Sequence, residues 1–247
     1  MVSRNSLISS SLTAWLMFGC SVLVEAPEDY SQQVVQETNV AQLLKTAQIS
    51  QKAESLFNQG NKLSESRNYQ EAVVTYDKLL SMKPDRVDAW NNRGNALTAM
   101  RQYQQALESY NKAIALKPSK HESWFNQGNA LMAMQKYEQA LASYDKSIAI
   151  KPDKDEAWIN RGIVLTKLKR YGDAIKSYDQ ALTLAKDSHQ VYYNKACSYA
   201  LQGEVELATE NLQKAMKIAP DKYRKLAKVD KDFYNVRRDK RFQQLVQ

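Results

Sequence analysis

A 34-residue period runs through the middle of this chain and constrains its fold more than any other feature. Gly60, Gly94, Gly128 and Gly162 are spaced by 34, with Ala196 in the fifth place. Trp90, Trp124 and Trp158 keep the step, preceded by Leu56 and followed by Tyr192. Ala72, Ala106, Ala140, Ala174 and Ala208 keep it without a break; Pro84, Pro118, Pro152 and Pro220 keep it with Lys186 in the remaining slot. A unit of this size cannot bury its apolar face alone, so the copies must stack on one another.

Each unit reads as two short amphipathic helices. In the second, Trp90, Gly94 and Leu97 fall at i, i+4 and i+7, one helical face. Tyr103, Ala106, Leu107, Tyr110, Ala113 and Ile114 form a second stripe, after the polar turn Met100-Arg101-Gln102. Pro118 ends the unit, because proline lacks the N–H and disfavours helix in the residue before it. A mid-helix glycine costs roughly 1 kcal/mol against alanine. Its return at four equivalent positions implies a close helix–helix approach at Gly94 and Ala106, with Trp90 and Tyr110 as the bulky partners. With five prolines and seven glycines in 247 residues, the chain is poor in breakers and reads as all-α.

The order Trp90, Gly94, Leu97, then Tyr103, Ala106, Tyr110, Ala113, then Pro118 resembles the tetratricopeptide repeat (TPR). The resemblance implies a right-handed α-solenoid of helix hairpins, in which the first helix of each pair lines a concave groove. It also implies a binding scaffold rather than an enzyme. The repeats fall at 53–86, 87–120, 121–154, 155–188 and 189–222. Residues 27–52 read as a polar linker and pre-repeat helix, the helical pattern starting near Val40. Residues 223–247 form a basic C-terminal cap, whose stretch from Asp232 to Phe242 resembles segments that close TPR arrays.

The ends carry their own signals. After Arg4, Leu7 to Val24 holds no charge, and Val24-Glu25-Ala26 precedes the polar Pro27-Glu28-Asp29. Residues 1–26 therefore read as a secretory signal peptide, and the chain as exported, periplasmic or membrane-associated. Leu16-Met17-Phe18-Gly19-Cys20 also resembles a bacterial lipobox, which would lipidate Cys20; an uncleaved anchor is the third reading. From Asp221 onward nine lysines and arginines face four aspartates, which supplies five of the net +8 charge. Interleaved apolar residues suit a cap over the last repeat. The alternative is an adaptor whose basic tail holds an anionic membrane or polymer. Export argues against nucleic acid as a partner. Once Cys20 is removed or acylated, Cys197 has no partner for a disulfide.

The groove is where the sequence points to function. Asn58, Asn92, Asn126, Asn160 and Asn194 form one column, asparagine in all five repeats; Asn61, Asn95 and Asn129 form a neighbouring column, and Asn91 joins from a third. A side-chain amide offers one carbonyl and two N–H bonds, the complement of a peptide backbone. Such a ladder can hold an extended peptide segment of a partner protein, or it can tie one repeat to the next. Glu54, Asp88, Glu122 and Glu156 form an acidic column that favours basic or N–H-rich ligands, or simply suits the positive end of a helix. TPR proteins that clamp a chaperone's C-terminal carboxylate carry lysine or arginine at such sites; Glu122 and Asn126 stand there instead. Phe57, Phe125, Ile159 and Tyr193 add apolar pockets. No phosphate loop, nucleophile elbow or zinc-ligand set occurs. No cofactor, metal, small-molecule substrate or catalytic residue is expected, and His121 and His189, 68 residues apart, read as helix-start surface residues.

Overall fold

The computed structural model describes residues 28–247. Residues 1–26, with Cys20 and the readings made of them, lie outside the described residues. The described residues divide at Ser50 into two units, residues 28–50 and 51–247. Among the described residues no strand occurs, and no helix is long and apolar enough to cross a membrane.

Helix α1 (Glu28–Glu65) runs through both the expected linker and the first helix of repeat one. Its helical start at Glu28 differs from the polar spacer expected there. The reason lies in composition: between Glu28 and Gln59 there is no glycine or proline, and Gln, Glu and Lys are good helix formers. Val40, Leu43 and Leu44 on this helix are exposed.

Eleven further α-helices follow. They are α2 (Tyr69–Met82), α3 (Val87–Ala99), α4 (Tyr103–Leu116), α5 (His121–Ala133), α6 (Tyr137–Ile150), α7 (Asp155–Lys167) and α8 (Tyr171–Leu184), then α9 (His189–Gln202), α10 (Val205–Ile218), α11 (Pro220–Val229) and α12 (Lys240–Val246). Each 34-residue unit supplies one antiparallel pair. In repeats two to five the second helix packs on the first helix of its own repeat, and α2, α4, α6 and α8 also pack on the first helix of the next. Successive first helices α3, α5, α7 and α9 also touch one another, which places them on the inner, concave side.

The core follows the repeat columns. Tyr76, Tyr110, Tyr144 and Tyr178 are all at most 1% exposed, and each lies against the glycine of its own repeat. At Gly94 an added Cβ would lie 2.5 Å from the Tyr110 ring. In repeat five the pair is Ala196 and Leu212, both buried; the smaller leucine leaves room for the methyl group. Tyr110 is thus the ring opposite Gly94, as expected, but Trp90 is not its companion. Trp90 lies half-buried over the preceding turn and donates its Nε1–H to the Pro84 carbonyl at 2.8 Å. Trp124 and Trp158 do the same to Pro118 and Pro152, and Tyr192 reaches Lys186.

A polar ladder fixes the stacking angle on the other face. Arg93 donates to Asp77 of the preceding repeat at 2.6 Å and to Ser109 of its own at 2.7 Å. Arg161 does the same with Asp145 and Ser177, and Lys195 pairs with Asp179. In the third repeat Gln127 meets Asn111 at 2.7 Å and Ser143 at 2.7 Å. Charge meets charge and amide meets amide at a constant separation of 16 residues. Half-exposed pairs of this kind stabilise by about 1 kcal/mol at most, so their main effect is on register.

The turn within each repeat bends through one residue with positive φ: Arg67 (63°), Arg101 (60°), Gln135 (58°), Lys169 (60°) and, in repeat five, Gly203 (80°). The left-handed region disfavours a side chain by about 1 kcal/mol, whereas glycine enters it freely. Arg101 is exposed and makes no side-chain bond among the described residues. Arg101→Gly will therefore raise the unfolding free energy by roughly 0.5 to 1 kcal/mol, less what glycine adds to unfolded-chain entropy. A urea midpoint below that of the parent would refute this.

The C-terminal segment closes the array. Helix α11, a short 3-10 turn (Lys231–Phe233) and α12 bury Tyr223, Ala227, Phe233, Val236, Phe242 and Val246 against Tyr193, Cys197, Leu212 and Met216. The expected basic cap is thus a packed cap. Its charges Lys222, Arg224, Lys225, Lys228, Lys231, Arg238 and Lys240 are exposed.

Candidate functional site

The asparagine columns lie on the first helices and meet across repeat boundaries. Tyr76 donates its hydroxyl to Asn61 Oδ1 at 2.8 Å, and Asn92 of the next repeat donates Nδ2–H to the same oxygen at 2.8 Å. Tyr144, Asn129 and Asn160 repeat this arrangement at 2.7 and 2.9 Å. A helix-interior asparagine is mildly unfavourable on its own. Here each oxygen takes two donors, one from each side of a repeat boundary. Asn92 and Asn160 therefore spend part of their amide on the fold.

The remaining members of the column differ. Asn95 accepts from Tyr110 at 2.8 Å, yet Asn126 makes no bond to it. Asn58 is exposed. Asn194 finds Ile163 at the position that Asn61, Asn95 and Asn129 hold, and its Nδ2 is buried with no partner among the described residues. With no asparagine at 163, the Tyr178 hydroxyl turns to Thr166, which also meets Ser198 at 2.8 Å.

Asn91 departs from the groove expected for it. It is 4% exposed and donates to Ser123 of the next repeat at 2.9 Å, so it lies between repeats two and three. One residue of helix rotation separates it from Asn92, about 100°, enough to carry it from the concave face into the interface.

The acidic column is less free than the sequence implied. Arg86 holds Glu54 at 2.9 Å, and Lys120 holds Asp88, each 32 residues further along the chain. Glu122 instead faces His121 Nε2 at 3.2 Å, and Lys154, the residue 32 further on, is exposed. The aromatic positions differ in the same way. The Arg86 guanidinium sits 4.7 Å over the Phe57 ring and closes it. Ile159 is 9% exposed. Tyr193 is covered by the cap, stacking on Tyr223 at 4.8 Å and meeting Phe233 at 5.7 Å. Phe125, tilted against Tyr144 at 5.9 Å, remains half-exposed. It floors a pocket of about 260 Å³ with His121, Glu122, Asn126, Lys154 and Glu156. A second pocket of about 530 Å³ lies between Asn61, Asn92, Asn95 and Tyr69.

Cys197 Sγ, Asp230 and Asp232 place their ligating atoms within 4.8 Å of one another. Protein bonds account for the Asp230 carboxylate at its centre. Tyr193 donates to Asp230 Oδ2 at 2.6 Å, and Asp230 Oδ1 accepts the Asp232 N–H. Burial, with Asp230 beside it, pushes the Cys197 thiol well above its ordinary range, which keeps it protonated and unreactive. The thiol is a packing residue under the cap.

A family model, the C-terminal TPR domain of cilia and flagella-associated protein 70, matches residues 9–236. The chain belongs to this tetratricopeptide-repeat family. No curated protein matches it. Among solved structures, a MamA protein superimposes with a TM-score of 0.64 at 20% identity, covering 73% of this chain and 97% of that one. MamA from Desulfovibrio magneticus RS-1 gives 0.65 at 18% identity, covering 69% and 96%. YrrB, described as a TPR protein with an unusual peptide-binding site, gives 0.62 at 22% identity, covering 72% and 92%. At these identities the likeness is one of fold.

Proposed function

We propose that the chain is a non-enzymatic protein–protein interaction scaffold that holds an extended segment of a partner on the concave face of its repeats. The observation that carries this reading is Asn126. Its amide is not spent on a neighbouring repeat, it is half-exposed, and it lines the pocket floored by Phe125. A backbone amide laid there meets both a donor and an acceptor, while the pocket receives one side chain. YrrB, alike in fold, is described as having a peptide-binding site, which agrees with this use of the architecture. The uncharged run from Leu7 to Val24 supports a place outside the cytoplasm, in assembly of an envelope or membrane-associated complex.

Asn126→Ala is the sharpest test, because it removes a groove amide without breaking an inter-repeat bond. Random peptides displayed on phage, selected on the wild-type chain, supply the ligand. Its affinity by fluorescence anisotropy will fall about tenfold in Asn126→Ala, the loss expected for hydrogen bonds to a desolvated backbone. Helix content and melting will stay at parent values. Equal affinity for parent and variant would remove Asn126 from the site and the reading with it.

A further inference from the structure

The two histidines of the chain, His121 and His189, stand two repeat lengths apart, each four residues before an aromatic: Phe125 and Tyr193. The repeat therefore builds the same pair of side chains twice, on α5 and on α9. At α9 the pair is filled. Tyr223 stacks on Tyr193 with ring centroids 4.8 Å apart, and its hydroxyl lies 2.5 Å from His189 Nδ1. Tyr223 is 2% exposed. It is the residue one repeat length after His189. One repeat length after His121 the chain has Asp155, which offers no ring. The space between His121 and Phe125 is the solvent-open pocket of about 260 Å³.

We infer that the pocket on α5 is a seat for a tyrosine side chain of the bound partner segment, its ring on Phe125 and its hydroxyl on His121 Nδ1. The imidazole is prepared for this. His121 Nε2 lies 3.2 Å from the Glu122 carboxylate, a neighbour that favours the proton on that nitrogen and Nδ1 as the acceptor. The same nitrogen of His189 meets Tyr223. Ser147, also on the pocket wall, is not a competitor, since its hydroxyl is given to the His121 carbonyl at 3.1 Å. The other aromatic and apolar positions of this column are closed by Arg86, by burial or by the cap, so the seat on α5 is the one left open among them. Asn126 on the same wall would hold the backbone beside the seated residue. Phenylalanine would fill the pocket but leave Nδ1 without a donor, and that difference sets a preference for the hydroxyl.

The inference rests on the groove reading, and its test is made independent of any partner. Para-cresol, the tyrosine side chain alone, and toluene, the phenylalanine side chain alone, are titrated into the full-length chain carrying 13C-labelled histidine. Two imidazole signals are expected, and His121→Ala assigns them. Para-cresol will shift the His121 signal saturably and leave the His189 signal in place; toluene will bind at least fivefold more weakly. Phe125→Ala will abolish the shift, with the unmoved His189 signal reporting that the fold persists; in His121→Ala the two affinities, read there from the line broadening of the probes' own proton signals, will come together. A silent His121 signal, equal affinity for the two probes, or an unchanged titration in Phe125→Ala overturns the tyrosine seat. If selected peptides still bind through Asn126 while the seat fails, the groove reading stands without it. If the seat is filled by para-cresol and no peptide is selected, the groove reading fails and the pocket remains.

Discussion

Gly94→Ala will lower the unfolding free energy by about 1 to 3 kcal/mol, and the same change on a Tyr110→Leu background will leave it unchanged or raise it. The first half follows from the missing space. The new methyl group would lie 2.5 Å from Tyr110 Cε1 and 2.8 Å from Cδ1, inside contact distance. Tyr110 cannot swing away cheaply. It is 1% exposed, and its hydroxyl is held by Asn95 at 2.8 Å and lies 3.1 Å from Thr98. The strain has to be taken by separating α3 from α4, and close-packed interiors resist that.

The second half comes from repeat five, where Ala196 and Leu212 occupy the same two positions with both side chains fully buried. Leucine in place of the ring admits the methyl group, and alanine then contributes its helix propensity, up to about 1 kcal/mol over glycine. The sign of the Gly94→Ala effect therefore depends on residue 110. Urea titrations followed by circular dichroism on the parent, both single variants and the double variant give the coupling directly. Additive effects within about 0.5 kcal/mol would mean that the ring has slack, and the account of the glycine column would fail. The expectation matters for function, because α3 carries Asn92 and Asn95, and its displacement would open the bond between Asn92 and Asn61.

The fold was legible because its determinants are side chains that keep their identity from repeat to repeat. Gly94 with Tyr110, the tryptophans and the prolines each stand in a column, and a column of large and small apolar residues admits one packing. Even the exception could be read, since Ala196 and Leu212 change together. The ties between repeats were present too, but diagonally. Asp77 with Arg93, Asn111 with Gln127, Asp145 with Arg161 and Asp179 with Lys195 match in kind at a spacing of 16. Glu54 with Arg86 and Asp88 with Lys120 match at 32. Columns read one at a time do not show this, so the acids looked free.

The groove was less legible for a physical reason. An asparagine offers the same amide to a ligand and to a neighbouring helix, and nothing in the residue itself says which will take it. Asn92, Asn126 and Asn160 are indistinguishable along the chain, yet Asn92 and Asn160 bond to Asn61 and Asn129 while Asn126 does not. Asn91, next to Asn92, lies in the interface and not on the concave face its sequence column suggests, because one helical step separates the two. The His121 and Phe125 pocket gains meaning only when set beside His189, Tyr193 and the Tyr223 that fills them.

Raising the pH above 10 will unfold the array cooperatively, and the buried tyrosines will set the midpoint. Burial pushes the Tyr110 hydroxyl up to about 12, and pushes Tyr144 and Tyr178 higher still; the hydroxyls of Thr98 and Thr166 and the Asn160 amide near Tyr144 offset only part of this. In the unfolded chain each ionises near its ordinary value, roughly 10. Below that value all three are neutral in both states, and the stability they contribute is fully present. Between about 10 and 12 the unfolded chain releases protons that folded Tyr110 retains, so rising pH favours unfolding. Each such tyrosine costs about 1.4 kcal/mol per pH unit in this window, and three together cost roughly 4 kcal/mol by pH 11. That is a large share of the 5 to 15 kcal/mol that holds an ordinary domain folded. Tyrosinate absorbance and helix dichroism, recorded in one titration, will separate two classes among the 14 tyrosines. An exposed class will ionise near 10 with the helices intact, and a second class will ionise only as the helix signal falls. Tyr110→Phe will move the second transition to higher pH if the parent and variant are matched for stability at pH 8. A single tyrosinate transition near 10 with full helix content would mean that water already reaches the rings behind the glycine column.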